Sequence, residues 1–132
     1  LEGHNIMPVV GIGTDIIQIQ RLEKMTESAL ARLALRVLTP SEYSHYQQLK
    51  FNIPYLAKRW AGKEAAAKAL GTGIADGVSF QHIEIKSLAS GQPQLILNDI
   101  ALKKANLLQA KTWHISLSDE KEYATAFVVL SM

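Results

Sequence analysis

The chain contains no cysteine. It therefore has no disulfide frame and no thiolate chemistry, and the absence fits a reducing, cytoplasmic setting. Long apolar runs are also missing. None approaches the ~20 residues that a bilayer-spanning helix requires, so no membrane partner is expected. An excess of one charge is nearly lacking too: the formal net charge is +2, which does not argue for a nucleic-acid partner. Residues 1–6 show neither a signal-peptide core nor a clear pattern. They read as an added remnant ahead of a natural start at Met7.

What is present suits one compact unit over residues 7–132: 48% of the chain is hydrophobic and 20% charged, enough for a packed core without disorder. The stretch Trp60-Ala-Gly-Lys-Glu-Ala-Ala-Ala-Lys-Ala-Leu-Gly-Thr-Gly73 organises the rest. Its propensities predict a helix ending in glycine, where a left-handed cap is easiest. Trp60, Ala61, Ala65, Ala66, Ala69 and Leu70 point in nearly every direction around that helix, which predicts burial. Glu64 and Lys68 share one face, four residues apart, and taken alone would form an ordinary surface ion pair.

Upstream, Pro8 to Ile19 reads as a strand rich in Val and Ile. Strict alternation puts Val9, Gly11, Gly13, Asp15, Ile17 and Ile19 on one face. Asp15 then lies within an apolar run and needs a cation, a set of N–H donors or a metal, unless it caps a helix at the strand end. Gly11 and Gly13 suggest close approach of another backbone or a ligand. The string Gly-Ile-Gly-Thr-Asp lacks the third glycine of a dinucleotide fingerprint.

From Gln20 to Val37 the spacing predicts a helix. Its apolar stripe is Leu22, Met25, Ala29, Leu33 and Val37, and a cationic one runs through Arg21, Lys24, Ser28, Arg32 and Arg36 if the helix is continuous. Such a stripe is either a solvated face or a docking rail for an acidic protein. Thr39-Pro40-Ser41-Glu42 starts a helix to about Leu49, and Asn52-Ile53-Pro54 opens the long central helix, about 54–70. Strands follow around Ile83–Ile85 and Gln94–Leu97, then a helix capped by Asn98 or Asp99 and ending near Leu108. A last pair of strands runs Trp113–Leu117 and Tyr123–Leu130, joined by a hairpin at Asp119–Glu122. The order β, several helices, β, β, α, β, β indicates an α+β fold, a largely antiparallel sheet with a helical layer.

Asp15 and Glu64, on separate elements, are a thin donor set for a metal. Zinc would want imidazole or thiolate, and His4, His45, His82 and His114 show no ligand spacing. Magnesium fits best, because it commonly takes one or two carboxylates and completes its shell with waters and substrate phosphates. Lys68 would add a point charge for a phosphate, and the amides around Gly71-Thr72-Gly73 could form an anion nest.

Asp15 within Gly11-Ile-Gly-Thr-Asp-Ile16, together with Lys58-Arg-Trp-Ala-Gly-Lys-Glu-Ala-Ala-Ala-Lys-Ala-Leu-Gly-Thr-Gly73, closely resembles the bacterial holo-[acyl-carrier-protein] synthases, the small 4′-phosphopantetheinyl transferases. The resemblance extends from about Met7 to the end, through Ser90-Gly-Gln-Pro93 and Ser116-Leu-Ser-Asp119. It implies their fold, and transfer of the 4′-phosphopantetheine arm of coenzyme A to a serine of apo acyl carrier protein, in support of fatty acid biosynthesis. It also implies magnesium held by Asp15 and Glu64. As a mechanistic expectation, Glu64 takes the serine proton, directly or through a water, with a basicity that metal ligation lowers. Lys68, Gly71 and Thr72 match positions that contact the nucleotide part of coenzyme A. Arg21 and Met25 match positions that receive the acidic carrier protein, and Lys24 lies on the same cationic stripe. Family members of this length are commonly homotrimers with sites between subunits. Some carry His where this chain has Asp119, and Ser where it has Ala67, so the nucleotide contact of that His is not carried over. The competing reading is a non-catalytic module on the same fold that binds an acidic helical partner.

Overall fold

In a computed structural model, residues 8–132 are described; the expected remnant over 1–6 and the start at Met7 lie outside them. The elements are β1 (Val9–Gln18), α1 (Ile19–Glu23), α2 (Glu27–Val37), α3 (Pro40–Gln48), α4 (Ile53–Ala69), a short 3-10 turn at Phe80–His82, β2 (Ile83–Ser87), β3 (Pro93–Leu97), α5 (Asp99–Leu107), β4 (Thr112–Asp119) and β5 (Tyr123–Ser131). The α+β order read from the sequence is the observed one. The strands form two antiparallel ladders rather than one: a three-stranded sheet in the order β1-β5-β4 and a separate β2-β3 hairpin.

Helix α4 is the centre of this arrangement. Leu56, Ala57, Ala61, Ala65, Ala66 and Ala67 are buried on it, and it packs against β1, β4, β5, α1, α2 and β2. A helix with small apolar residues all round can be enclosed in this way without exposing an apolar face to water. Gly62 helps: a Cβ there would meet Ile85 Cδ1 at 2.6 Å.

The expected Gln20–Val37 helix is broken. Lys24 and Met25 separate α1 from α2, and Thr26 caps α2 by accepting from the Ala29 amide at 3.2 Å. Thr here competes for backbone donors more strongly than the apolar stripe favours one continuous helix. The cationic residues therefore do not form one rail along a single axis. The start of α3 follows the sequence closely: Thr39 and Glu42 make a reciprocal capping box, with Pro40 in the first turn.

Strand β1 pairs with β5 and carries a register shift between Val9 and Gly11. This bulge turns Val9 out to solvent, so it leaves the face it was expected to share with Gly11, Gly13, Asp15 and Ile17. Ile19 is buried, but as the first residue of α1. No helix among the described residues is long and apolar enough to cross a membrane.

Candidate active site

The glycines of β1 set where the site lies. A Cβ on Gly13 would fall 1.9 Å from the Ala65 carbonyl oxygen, and one on Gly11 would fall 2.2 Å from the Ala69 carbonyl oxygen. The strand can therefore lie directly on the backbone of α4, which is the close approach its glycines suggested. Asp15, next on the same face, is thereby carried to the polar side of α4.

There Lys68 Nζ donates to Asp15 Oδ1 at 2.9 Å and to the Thr14 carbonyl at 3.0 Å. The ion pair expected between Glu64 and Lys68 does not form: the lysine turns to Asp15, and Glu64 has no ion-pair partner among the described residues. Glu64 is half-buried. Burial raises the pKa of its carboxyl, and the negative charge of Asp15 raises it further, against the opposing pull of Lys68, the Trp60 indole and Arg36. The charge of Asp15 thus reaches Glu64, although the two come from remote parts of the chain.

This donor set suits a divalent cation. The Asp15 charge already raises the pKa of the half-buried Glu64, and a cation bound by both carboxylates would relieve that repulsion. Among the described residues no third Asp, Glu, His or Cys joins them. A two-carboxylate set fits magnesium, whose remaining positions go to water and phosphate, better than calcium or zinc. A cleft of about 390 Å³ opens beside Asp15 and Lys68, lined also by Ser116, Ser118, Thr125 and Phe127; Glu64 is not on its wall. A larger, more apolar cleft of about 730 Å³ between α2, α3 and the loop after α4 includes neither carboxylate; Arg36, on its wall, is its link to Glu64.

The loop after α4 corrects one expectation. The amide of Gly71 donates to Lys68 O at 2.9 Å, and those of Thr72 and Gly73 donate to Ala67 O at 3.3 and 3.0 Å. All three N–H groups close the end of the helix and are not free to form an anion nest. Gly71 and Gly73 have φ of 83° and 63°, the left-handed conformation this closure needs.

Arg21 lies over the Trp60 ring, 5.5 Å from its centroid, so α1 connects through an indole to the surroundings of Glu64. Lys24 is exposed at the end of α1, and Met25 is half-buried in the turn that follows. Asp119 pairs with Lys58 at 2.9 Å. Trp60 and Arg36 escaped the sequence reading as neighbours of Glu64. The i, i+4 spacing of Trp60 to Glu64 was the available signal for the first; nothing local marked the second.

The model of the 4′-phosphopantetheinyl transferase superfamily matches residues 11–128. The chain is 54% identical over 124 residues to a holo-[acyl-carrier-protein] synthase of Shewanella frigidimarina, covering 94% of this chain and 98% of the relative. To a synthase of the same name from Yersinia pseudotuberculosis it is 47% identical, with the same coverage. Among solved structures, it is similar to the holo-[acyl-carrier-protein] synthase of Neisseria meningitidis, with a TM-score of 0.83 and 40% identity over 93% of this chain and 98% of that one. A Bacillus anthracis holo-(acyl-carrier-protein) synthase in complex with CoA (3′,5′-ADP) gives a TM-score of 0.79 and 38% identity over 96% and 98%.

Proposed function

The chain belongs to the 4′-phosphopantetheinyl transferase superfamily, and we propose that Asp15, Glu64 and Lys68 are the reaction centre with which it works. It is a transferase that moves the 4′-phosphopantetheine group from coenzyme A to a serine of apo acyl carrier protein, leaving adenosine 3′,5′-bisphosphate. The observation that carries the site assignment is the Lys68–Asp15 ion pair at 2.9 Å, whose carboxylate charge raises the pKa of the half-buried Glu64.

Asp15 and Glu64 would hold a magnesium ion, which when bound supplies positive charge against the diphosphate of coenzyme A. Lys68, anchored on α4 with a half-exposed side chain, binds a phosphate of the same diphosphate. Gly71 and Thr72 contact the nucleotide through the surface of the loop that ends α4. The serine oxygen attacks the phosphorus that bears the pantetheine arm. As that bond forms, the bond from phosphorus to the bridging oxygen breaks, and adenosine 3′,5′-bisphosphate departs. Glu64 takes the serine proton directly or through a water. Positioning and charge supply most of the acceleration in a transfer of this type.

Arg21, Lys24 and Met25 form the surface that receives the acidic carrier protein, at the turn between α1 and α2. The chain acts in the cytoplasm as one domain over 7–132. It assembles as a homotrimer: the open face of the three-stranded sheet presents Ile12 at 58%, Ile16 at 60% and Phe127 at 44% exposure, and it borders the cleft that holds Asp15. Copies of this chain covering that face would complete the cleft from a neighbouring subunit; light scattering on the purified protein reads the stoichiometry. The reaction is tested by incubating the protein with coenzyme A, magnesium and apo acyl carrier protein and weighing the carrier. A mass gain of one phosphopantetheine is expected, and an unmodified carrier with a folded enzyme refutes it.

A further inference from the structure

The two ends of the Lys68–Asp15 pair are held unequally. Asp15 is fixed on β1 with its side chain only 18% exposed, whereas the Lys68 side chain is 52% exposed and its amine rests on two acceptors, Asp15 Oδ1 and the Thr14 carbonyl. The lysine can leave by rotating a solvated stem; the carboxylate cannot follow it. We propose that Lys68 is an exchangeable counter-ion, which neutralises Asp15 in the free enzyme and moves to a phosphate of coenzyme A as substrate and metal enter together. The proposal rests on the reading that Asp15 and Glu64 hold the metal.

Three physical points support it. An ammonium at 2.9 Å occupies one of the few oxygens available to a cation, since among the described residues no third carboxylate joins Asp15 and Glu64. For a divalent cation to bind alone, Lys68 must give up a charge-assisted hydrogen bond while a like charge settles beside it, and that repulsion is strong at short range. A diphosphate changes both sides of this balance: it offers the lysine a doubly charged acceptor, and it screens the two cations from each other. The tie to Thr14 O keeps the amine near the site in the meantime. Metal and coenzyme A then favour each other through this residue, and the coupling is reciprocal by thermodynamic necessity.

The test uses Mn²⁺ binding followed by calorimetry, without carrier protein, on folded variants matched to wild type by circular dichroism. Lys68→Met should bind Mn²⁺ alone about fivefold or more tightly than wild type. Lys68→Arg, which keeps the cation, and Lys111→Met, which removes the same charge from an exposed position before β4, should leave the affinity unchanged. Adding coenzyme A should raise Mn²⁺ affinity more in wild type than in Lys68→Met. Unchanged or weaker Mn²⁺ binding by Lys68→Met, or an equal gain in Lys111→Met, overturns the exchange. Tight binding that needs Asp15 and Glu64 but ignores Lys68 overturns the exchange alone. Binding that ignores both carboxylates overturns the site reading beneath it.

Discussion

Gly13 on β1 lies so close to Ala65 on α4 that a methyl group on the glycine would stand 1.9 Å from the alanine carbonyl oxygen. The obstacle is helix backbone, which cannot swing aside as a side chain can. Gly13→Ala should therefore cost about 3 kcal/mol or more, at the upper end of overpacking effects, and should displace Asp15 from Lys68. Gly71→Ala makes the contrast: open space surrounds that position, and only its φ of 83° is unfavourable, so about 1–2 kcal/mol is expected. Urea denaturation of the two variants measures the difference.

Glu64 gives the fold a pH dependence of defined sign. Its carboxyl pKa is raised above the ordinary 4.5 by burial and by Asp15, so the folded chain holds that proton more tightly than the unfolded chain does. The contribution to stability is complete below the unfolded pKa and is lost as pH rises through the folded one. In the absence of divalent metal, wild type should lose stability relative to Glu64→Gln as pH rises above the ordinary 4.5. Thermal melts of both proteins across that range read it, and parallel curves would remove the electrostatic strain from the account.

Lys63, the neighbour of Glu64 in sequence, is sealed in the interior. Its amine meets Glu42 Oε1 at 2.6 Å, Val37 O at 2.7 Å and Phe80 O at 3.2 Å, and Glu42 Oε2 accepts from the Ile85 amide at 2.8 Å. Burial lowers the lysine pKa, while Glu42 pulls it back. This pair ties α2, α3, α4 and β2 together. Lys63→Met leaves Glu42 charged and unpaired, and should cost about 3–5 kcal/mol. Lys63→Met with Glu42→Gln removes the buried charge and should recover part of the loss, as denaturant midpoints will show.

These relations also mark how far the sequence could be read. The capping box at Thr39–Glu42, the burial of α4 and the backbone approach at Gly11 and Gly13 were legible, because each rests on local chemistry or on a repeating pattern. The turn of Lys68 toward Asp15 was not: its partner is 53 residues away, and the helical spacing pointed to Glu64 instead. The burial of Lys63 was hidden for the same reason, since a helix apolar all round does not reveal which of its lysines faces inward. The break at Lys24–Thr26 needed Thr26 to be weighed as a cap against the stripe that runs through it. The amides of Gly71–Gly73 were read as free because their use in closing α4 depends on the φ of the two glycines.

Arg21 and Lys24 flank the turn after α1, one over Trp60 and the other in solvent. Reversing both charges should raise the KM for apo carrier protein roughly tenfold at low salt, with less effect at high ionic strength, as rim charges that steer encounter do. Coenzyme A affinity should not change. Steady-state kinetics at two salt concentrations, with calorimetry of coenzyme A, separates this from a general loss of fold, in which both would fall.

The shared role of Asp15 and Glu64 is tested most directly by the rate at which Glu64→Gln modifies apo acyl carrier protein in saturating magnesium and coenzyme A, followed by the mass of the carrier. The amide keeps the shape of the side chain and removes its charge and its basicity. With the fold intact, the rate should drop by about a hundredfold or more, and Asp15→Asn should fail in the same way. A carrier protein modified at the wild-type rate by Glu64→Gln would contradict the account.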